Sequence, residues 1–138
     1  MDRRAFLAAS GAGVVGTISG CLDRGLSEED FDVGMSQNAF LPEEYAVSVG
    51  ETVVWGNNGS RGHTVTAYDS GIPDEAEYFA SGGYENLSSA REDWHSRKGG
   101  NIPPGEMYEY TFEVPGRYHY VCSPHEPVGM VGVIVVTE

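Results

Sequence analysis

The stretch that decides the fold runs Tyr118-His-Tyr-Val-Cys122-Ser-Pro-His125-Glu-Pro-Val-Gly-Met130, and it continues into Val131-Gly-Val-Ile-Val-Val-Thr137. In an extended strand successive side chains face opposite sides, so Tyr118, Tyr120 and Cys122 share one face and His119 takes the other. A second β-rich run starts at Val131, so the residues between form a loop joining two strands. Short segments of the same kind recur upstream at Phe31–Met35, Ala46–Val49, Thr52–Trp55, His63–Ala67 and Met107–Val114, the last followed by a Pro115-Gly116 turn. Gly50-Glu51, between two of them, reads as a hairpin turn. Short strands punctuated by glycine and proline predict an all-β sandwich or barrel.

Residues 69–105 break this pattern. Glu85 to His95 can form one short helix with Asn86 or Ser88 near its start. The rest is glycine-rich loop, and the expectation is a surface crossover between sheets.

The chain has 138 residues, enough for one domain, and 40% hydrophobic with 11% aromatic residues supports a packed core. Eight basic against 21 acidic residues give −13, and Lys98 is the one lysine. A nucleic-acid binder needs a basic face, so that class is excluded, and anionic headgroups repel such a chain. Acid is scattered from Asp23 to Glu138. The favoured reading is adaptation to high salt, where carboxylate self-repulsion is screened; the alternative is an acidic docking face.

The N-terminus carries targeting information. Arg3-Arg4 precedes a small and apolar run from Ala5 to Ile18, shorter than a membrane-spanning helix requires. It resembles a twin-arginine export signal. Ile18-Ser19-Gly20-Cys21 resembles a lipoprotein cleavage box, so residues 1–20 are expected to be removed and Cys21 lipidated. The chain would then be exported and anchored to the extracytoplasmic face of the cell membrane; without lipid it would be secreted. Residues 21–32 read as an acidic, self-repelling tether and residues 33–138 as the folded domain.

Chemistry concentrates in the quoted loop, where cysteine, histidine and methionine fall at C-x2-H-x4-M. Pro124 and Pro127 stiffen it, and Gly129 lets Met130 point back. Thiolate, imidazole and thioether together select copper, and one cysteine with two histidines and a long axial methionine describes an electron-transfer copper centre. The second histidine must come from elsewhere. His63, opening a β-branched strand, is the candidate; His119 faces away and His95 lies in the polar insertion.

With these residues the chain resembles plastocyanin-type blue copper proteins, and most of all the halocyanins, the membrane-attached copper proteins of salt-loving archaea. The resemblance rests on Val54-Trp-Gly-Asn-Asn with His63-Thr-Val, and on Tyr118 to Gly132. It implies a cupredoxin-like Greek-key β-sandwich of about 7–8 strands with a loop and short-helix insertion. It also implies one copper ion held by His63, Cys122, His125 and Met130. The chain departs from plant plastocyanins at Gly62 (proline there), Thr64 (asparagine), Val121 (an exposed tyrosine) and in the longer insertion after Pro73. A plant-type docking route is therefore not carried over.

Four protein donors leave little open coordination, whereas metal catalysis needs an open position or a second metal. The expectation is a monomeric electron carrier cycling Cu(I)/Cu(II). Its partners would be redox proteins, either membrane electron-transfer complexes or a terminal oxidase. The alternative is an extracytoplasmic copper-binding or delivery protein; zinc could enter the site as an artefact of expression. Electrons are expected to pass through His125, ringed by Gly62, Pro124, Pro127 and Val128.

Charge alone generates one prediction. Cleavage before Cys21 leaves 118 residues at −14. The Debye length grows from ~3 Å at 1 M salt to ~30 Å at 0.01 M. The melting temperature is expected to fall as salt is lowered from molar to millimolar. Equal melting temperatures would remove the salt-adaptation reading.

Overall fold

The computed structural model describes residues 26–27 and 29–138. The export signal, Cys21 and the start of the tether lie outside the described residues.

Eight strands form two four-stranded sheets. The strands are β1 (Val33–Met35), β2 (Phe40–Leu41), β3 (Glu44–Ser48), β4 (Thr52–Asn57), β5 (Thr66–Ala67), β6 (Met107–Thr111), β7 (Gly116–Val121) and β8 (Val131–Thr137). One sheet has the order β2-β1-β4-β6 and the other β3-β8-β7-β5. This is the Greek-key sandwich the sequence led us to expect. β1 runs parallel to β4 and β3 parallel to β8, while the remaining pairs are antiparallel.

Two expectations are corrected. Ala46–Val49 and Thr52–Trp55 do not form a hairpin, because β3 pairs with β8 in one sheet and β4 with β1 and β6 in the other. The turn is real: Gly50 adopts φ +90° and Glu51 N–H donates to Ser48 O at 3.0 Å. It carries the chain across the sandwich instead of back along one sheet. Alternation shows which face of a strand is buried but not its partner, and Val47, Val53 and Trp55 all face one core. The second correction is that the strand begins at Thr66 rather than at His63, which instead forms an isolated bridge with Ile102. β2 was not foreseen; two residues are too short to show a period.

Trp55 sits at the centre of the core, fully buried, with ring centroids 5.5 Å from Tyr120, 5.6 Å from Tyr108 and 6.3 Å from Phe79. Phe40 meets Tyr120 edge-on at 4.6 Å. Aromatic pairs in such arrangements add about 0.5–1.5 kcal/mol beyond area burial. Phe31 and Asp32, just before β1, pack against the sandwich. Phe31 covers Gly34 and Gly56, and Asp32 exchanges bonds with Val54 through its N–H (2.8 Å) and its Oδ2 (2.9 Å).

The insertion contains the short 3-10 turn Asp69–Gly71 and one α-helix, α1 (Leu87–Arg97). Asn86 caps α1 by accepting from Ser89 N–H at 2.7 Å, as its residue type suggested. Lys98 ends the helix in the left-handed conformation, φ 61°. Among the described residues no helix is long and apolar enough to cross a membrane.

Gly132 on β8 lies under the Tyr120 ring, and a Cβ there would stand 2.6 Å from it. Tyr120 is wedged between Phe40 and Trp55 and cannot retreat. Gly132→Ala is expected to cost about 1–3 kcal/mol through overpacking, seen as a lowered thermal midpoint by circular dichroism. An unchanged midpoint would show that Tyr120 has room to move.

Candidate metal centre

Three donors meet at one end of the sandwich. The Cys122 Sγ lies 3.6 Å from His63 Nδ1 and 3.3 Å from His125 Nδ1. The three ligand atoms fall within 4.8 Å of one another, and the two imidazole centroids are 4.9 Å apart. Cys122, His63 and Met130 are fully buried, whereas His125 is only partly covered. Among the described residues no carboxylate joins the cluster.

Local sequence explains each position. Cys122 follows the last residue of β7, on the inward face with Tyr118 and Tyr120, and His119 is exposed on the other face as expected. The next residues, Ser123–Val128, wind into a 3-10 turn that brings His125 back under the sulfur, with His125 N–H donating to Cys122 O at 3.0 Å. Gly129 ends the turn at φ +85°. The chain can therefore reverse so that Cys122 N–H donates to Met130 O (3.0 Å) and Met130 N–H to His125 O (3.3 Å). Met130 is thus locked to both loop donors through its backbone.

His63 is held by a backbone pair rather than a strand. Its N–H donates to Ile102 O at 3.2 Å and its carbonyl accepts from Ile102 N–H at 2.7 Å. Buried Asn57 fixes both sides of this pair, its Nδ2 donating to Arg61 O (2.7 Å) and Ile102 O (2.8 Å). The insertion is therefore more than a surface crossover: its last residues clamp a donor. α1 also reaches the ligand loop, where Glu126 accepts from Arg91 Nη2 at 3.0 Å and from Tyr68 OH at 2.9 Å.

Thr64 joins the two donor segments. Its N–H points at Cys122 Sγ (3.4 Å), and its hydroxyl accepts from Ser123 N–H (2.9 Å). The sequence reading assigned no supporting role to Asn57, Thr64, Arg91 or Glu126, although Asn57, Thr64 and Glu126 lie in the stretches that carry the resemblance. Thr64 had a visible signal, since it stands beside a candidate donor where the resemblance called for another residue. His95 is exposed on α1.

Burial sets the protonation of the donors. It pushes the Cys122 thiol up, with the Thr64 and His125 backbone groups pulling partly back. It pushes His63 down to about 4, helped by His125 and Arg61 and opposed by the Ser36 backbone. His125 is also lowered, by burial first and by Arg61 second. Both imidazoles are thus neutral at neutral pH and offer lone pairs.

A site built of one sulfur and two imidazole nitrogens, enclosed and without hard oxygen donors, has the chemistry of a copper centre. The sequence profile described as copper binding proteins, plastocyanin/azurin family, matches residues 28–137. The chain belongs to this family. The plastocyanin of Pisum sativum is 36% identical over 98 residues, covering 71% of this chain and 51% of that protein. The chain therefore spans about half the length of that curated relative. Among solved structures, an oxidised amicyanin variant superposes with TM-score 0.55 at 25% identity, covering 80% of this chain and 85% of that one. A copper-containing nitrite reductase from Thermus scotoductus matches with TM-score 0.56 at 27% identity, covering 77% of this chain but 22% of the reductase. The His63, Cys122 and His125 cluster fits a single type 1 copper site of this family.

The His63 shift predicts a pH dependence for the copper-free protein. Unfolded, the ring takes a proton near pH 6.5; folded, it resists until about 4. Its contribution to stability is complete above pH 6.5 and is lost as pH falls through that window. Carboxylates titrate there too, so the comparison is with His63→Gln. In denaturant melts the stability gap between wild type and variant should shrink from pH 7 to pH 4.5. A constant gap would mean that the folded ring titrates normally.

Proposed function

We propose that the protein is a mononuclear blue copper electron carrier, with His63, Cys122 and His125 holding the metal and Met130 as the weak fourth donor. The observation that carries this reading is the buried Cys122 sulfur, fixed by Thr64 N–H and faced by the Nδ1 atoms of two imidazoles. When bound, copper supplies a one-electron Cu(I)/Cu(II) couple. The protein's part is to keep the donors in place. Asn57 and Ile102 fix His63, Thr64 ties the Cys122 segment to it, and Glu126 ties the His125 loop to α1 and Tyr68. Donors held by a rigid frame move little between oxidation states. Buried His63, Cys122 and Met130 exclude water, which leaves the partly exposed His125 edge as the route for electrons.

The family's plastocyanins support a carrier rather than an enzyme. The likeness to the nitrite reductase is confined to 22% of that chain, so its reaction is not carried over. We place the protein at the outer face of the cell membrane, held by a lipid on Cys21, with membrane redox proteins as partners and no oligomer required. The support for this placement is the paired arginine signal and the cysteine box alone.

The test is the visible spectrum of the oxidised, copper-loaded protein, followed by reductive titration. An intense blue band that Cys122→Ser abolishes is the expected result, since thiolate-to-copper charge transfer produces the colour. A band that survives the substitution would sink the assignment. Met130→Leu should keep copper and colour and raise the reduction potential, because a weak axial donor favours Cu(II) slightly. A delivery protein would instead bind one oxidation state and release it to a chelator.

A further inference from the structure

The described residues include five basic side chains in an otherwise acidic chain. Three are neutralised: Arg91 by Glu126 at 2.9 Å, Arg97 by Asp93 at 2.8 Å and Arg117 by Glu44 at 3.5 Å. The other two, Arg61 and Lys98, make no ion pair among the described residues. Both line one open groove of about 380 Å³ with Trp94, Pro104, Pro124 and His125. In a chain of 21 acids, the two uncompensated cations flank the partly exposed donor.

The placement is built in. Asn57 holds the Arg61 carbonyl on one wall. On the other, the left-handed turn at Lys98 folds its chain back so that Nζ stands 5.1 Å over the Trp94 ring. The Arg91–Glu126 pair links α1, the element that carries Trp94 beside His125, to the ligand loop. Arg61 is close enough for its charge to depress both imidazoles. The loop that carries His125 also exposes an apolar group, Val128, 63% accessible.

We propose that the Arg61–Trp94–Lys98 groove beside His125 is the docking seat for a redox protein whose electron-exchange face is lined with carboxylates. The proposal rests on the carrier reading above and names the partner chemistry of that site. Arginine and tryptophan are the side chains that anchor protein interfaces, and carboxylates complement the two free cations. The groove is open and made from three separate segments, which suits a convex protein surface. Repulsion between two acidic proteins is long-ranged and screened by salt, whereas contact pairs at the groove persist. The surround of His125 therefore carries two cations among its small and apolar groups, where the sequence suggested small or apolar groups alone.

The experiment uses cytochrome b5 as the acidic-faced probe. Stopped-flow reduction of the copper-loaded full chain by reduced cytochrome b5 is measured at fixed ionic strength. Arg61→Glu and Lys98→Glu should each slow the second-order rate at least about fivefold once the rates are corrected to equal driving force with each variant's measured potential, with the blue spectrum unchanged. Arg117→Glu makes the same charge change at the far end of β7 and should alter the rate less than about twofold. Equal slowing by all three, or no slowing by the first two, overturns the proposal. So does slowing with hexacyanoferrate but not with cytochrome b5, which would mark a small-anion site. A second readout needs no copper. Titrating the copper-free protein with cytochrome b5 should shift the Trp94 indole and the Arg61 and Lys98 amide resonances, and shifts centred elsewhere overturn the seat. A wild type that binds copper without turning blue would instead overturn the carrier reading, leaving the titration to decide the groove on its own.

Discussion

Everything at the metal end depends on one buried sulfur. The Cys122 Sγ is removed from water and receives a hydrogen bond from Thr64 N–H while two imidazole nitrogens face it. A polar group in a dry interior must find partners, and this one finds them on two chain segments, His63–Thr64 and the loop that carries His125. Position of the segments follows from that requirement. Thr64 must lie beside Ser123, the 3-10 turn must bring His125 back, and Ile102 must return from the insertion to hold His63. The sandwich beneath supplies the rigid floor through Trp55 and Tyr120.

Much of this was legible in the residues. The run from Tyr118 to Met130 showed the face of the strand, the stiff loop and the donor spacing, because each depends on local geometry. The outward face of His119 and the polar setting of His95 were readable for the same reason. What failed was pairing. A β-strand's own sequence states which side is buried, and it is silent on whether its neighbour lies two or ninety residues away. Gly50-Glu51 looked like a hairpin because turns inside one sheet and turns between sheets use the same residues.

The insertion was illegible in a different way. Its helix and its Asn86 cap were visible, but its purpose was not. Arg91 meets Glu126 side chain to side chain across 35 residues, and Ile102 meets His63 through backbone atoms that every residue possesses. No side-chain type announces such a contact. The basic groove was hidden likewise: Arg61 and Lys98 are unremarkable in sequence and become a pair only when α1 packs on the ligand loop.

The parallel pairing of β3 with β8 has a consequence for how the chain reaches this state. Glu44 must find Val133, and the sulfur at Cys122 must find an imidazole 59 residues earlier. Folds dominated by such distant pairings close their loops at an entropic cost before contacts reward it, and they form over roughly milliseconds to seconds. No early hairpin can assemble the donors by itself. The β7–β8 hairpin alone owns Cys122, His125 and Met130 but not His63, so the full donor set is a property of the completed topology and reports that folding has finished.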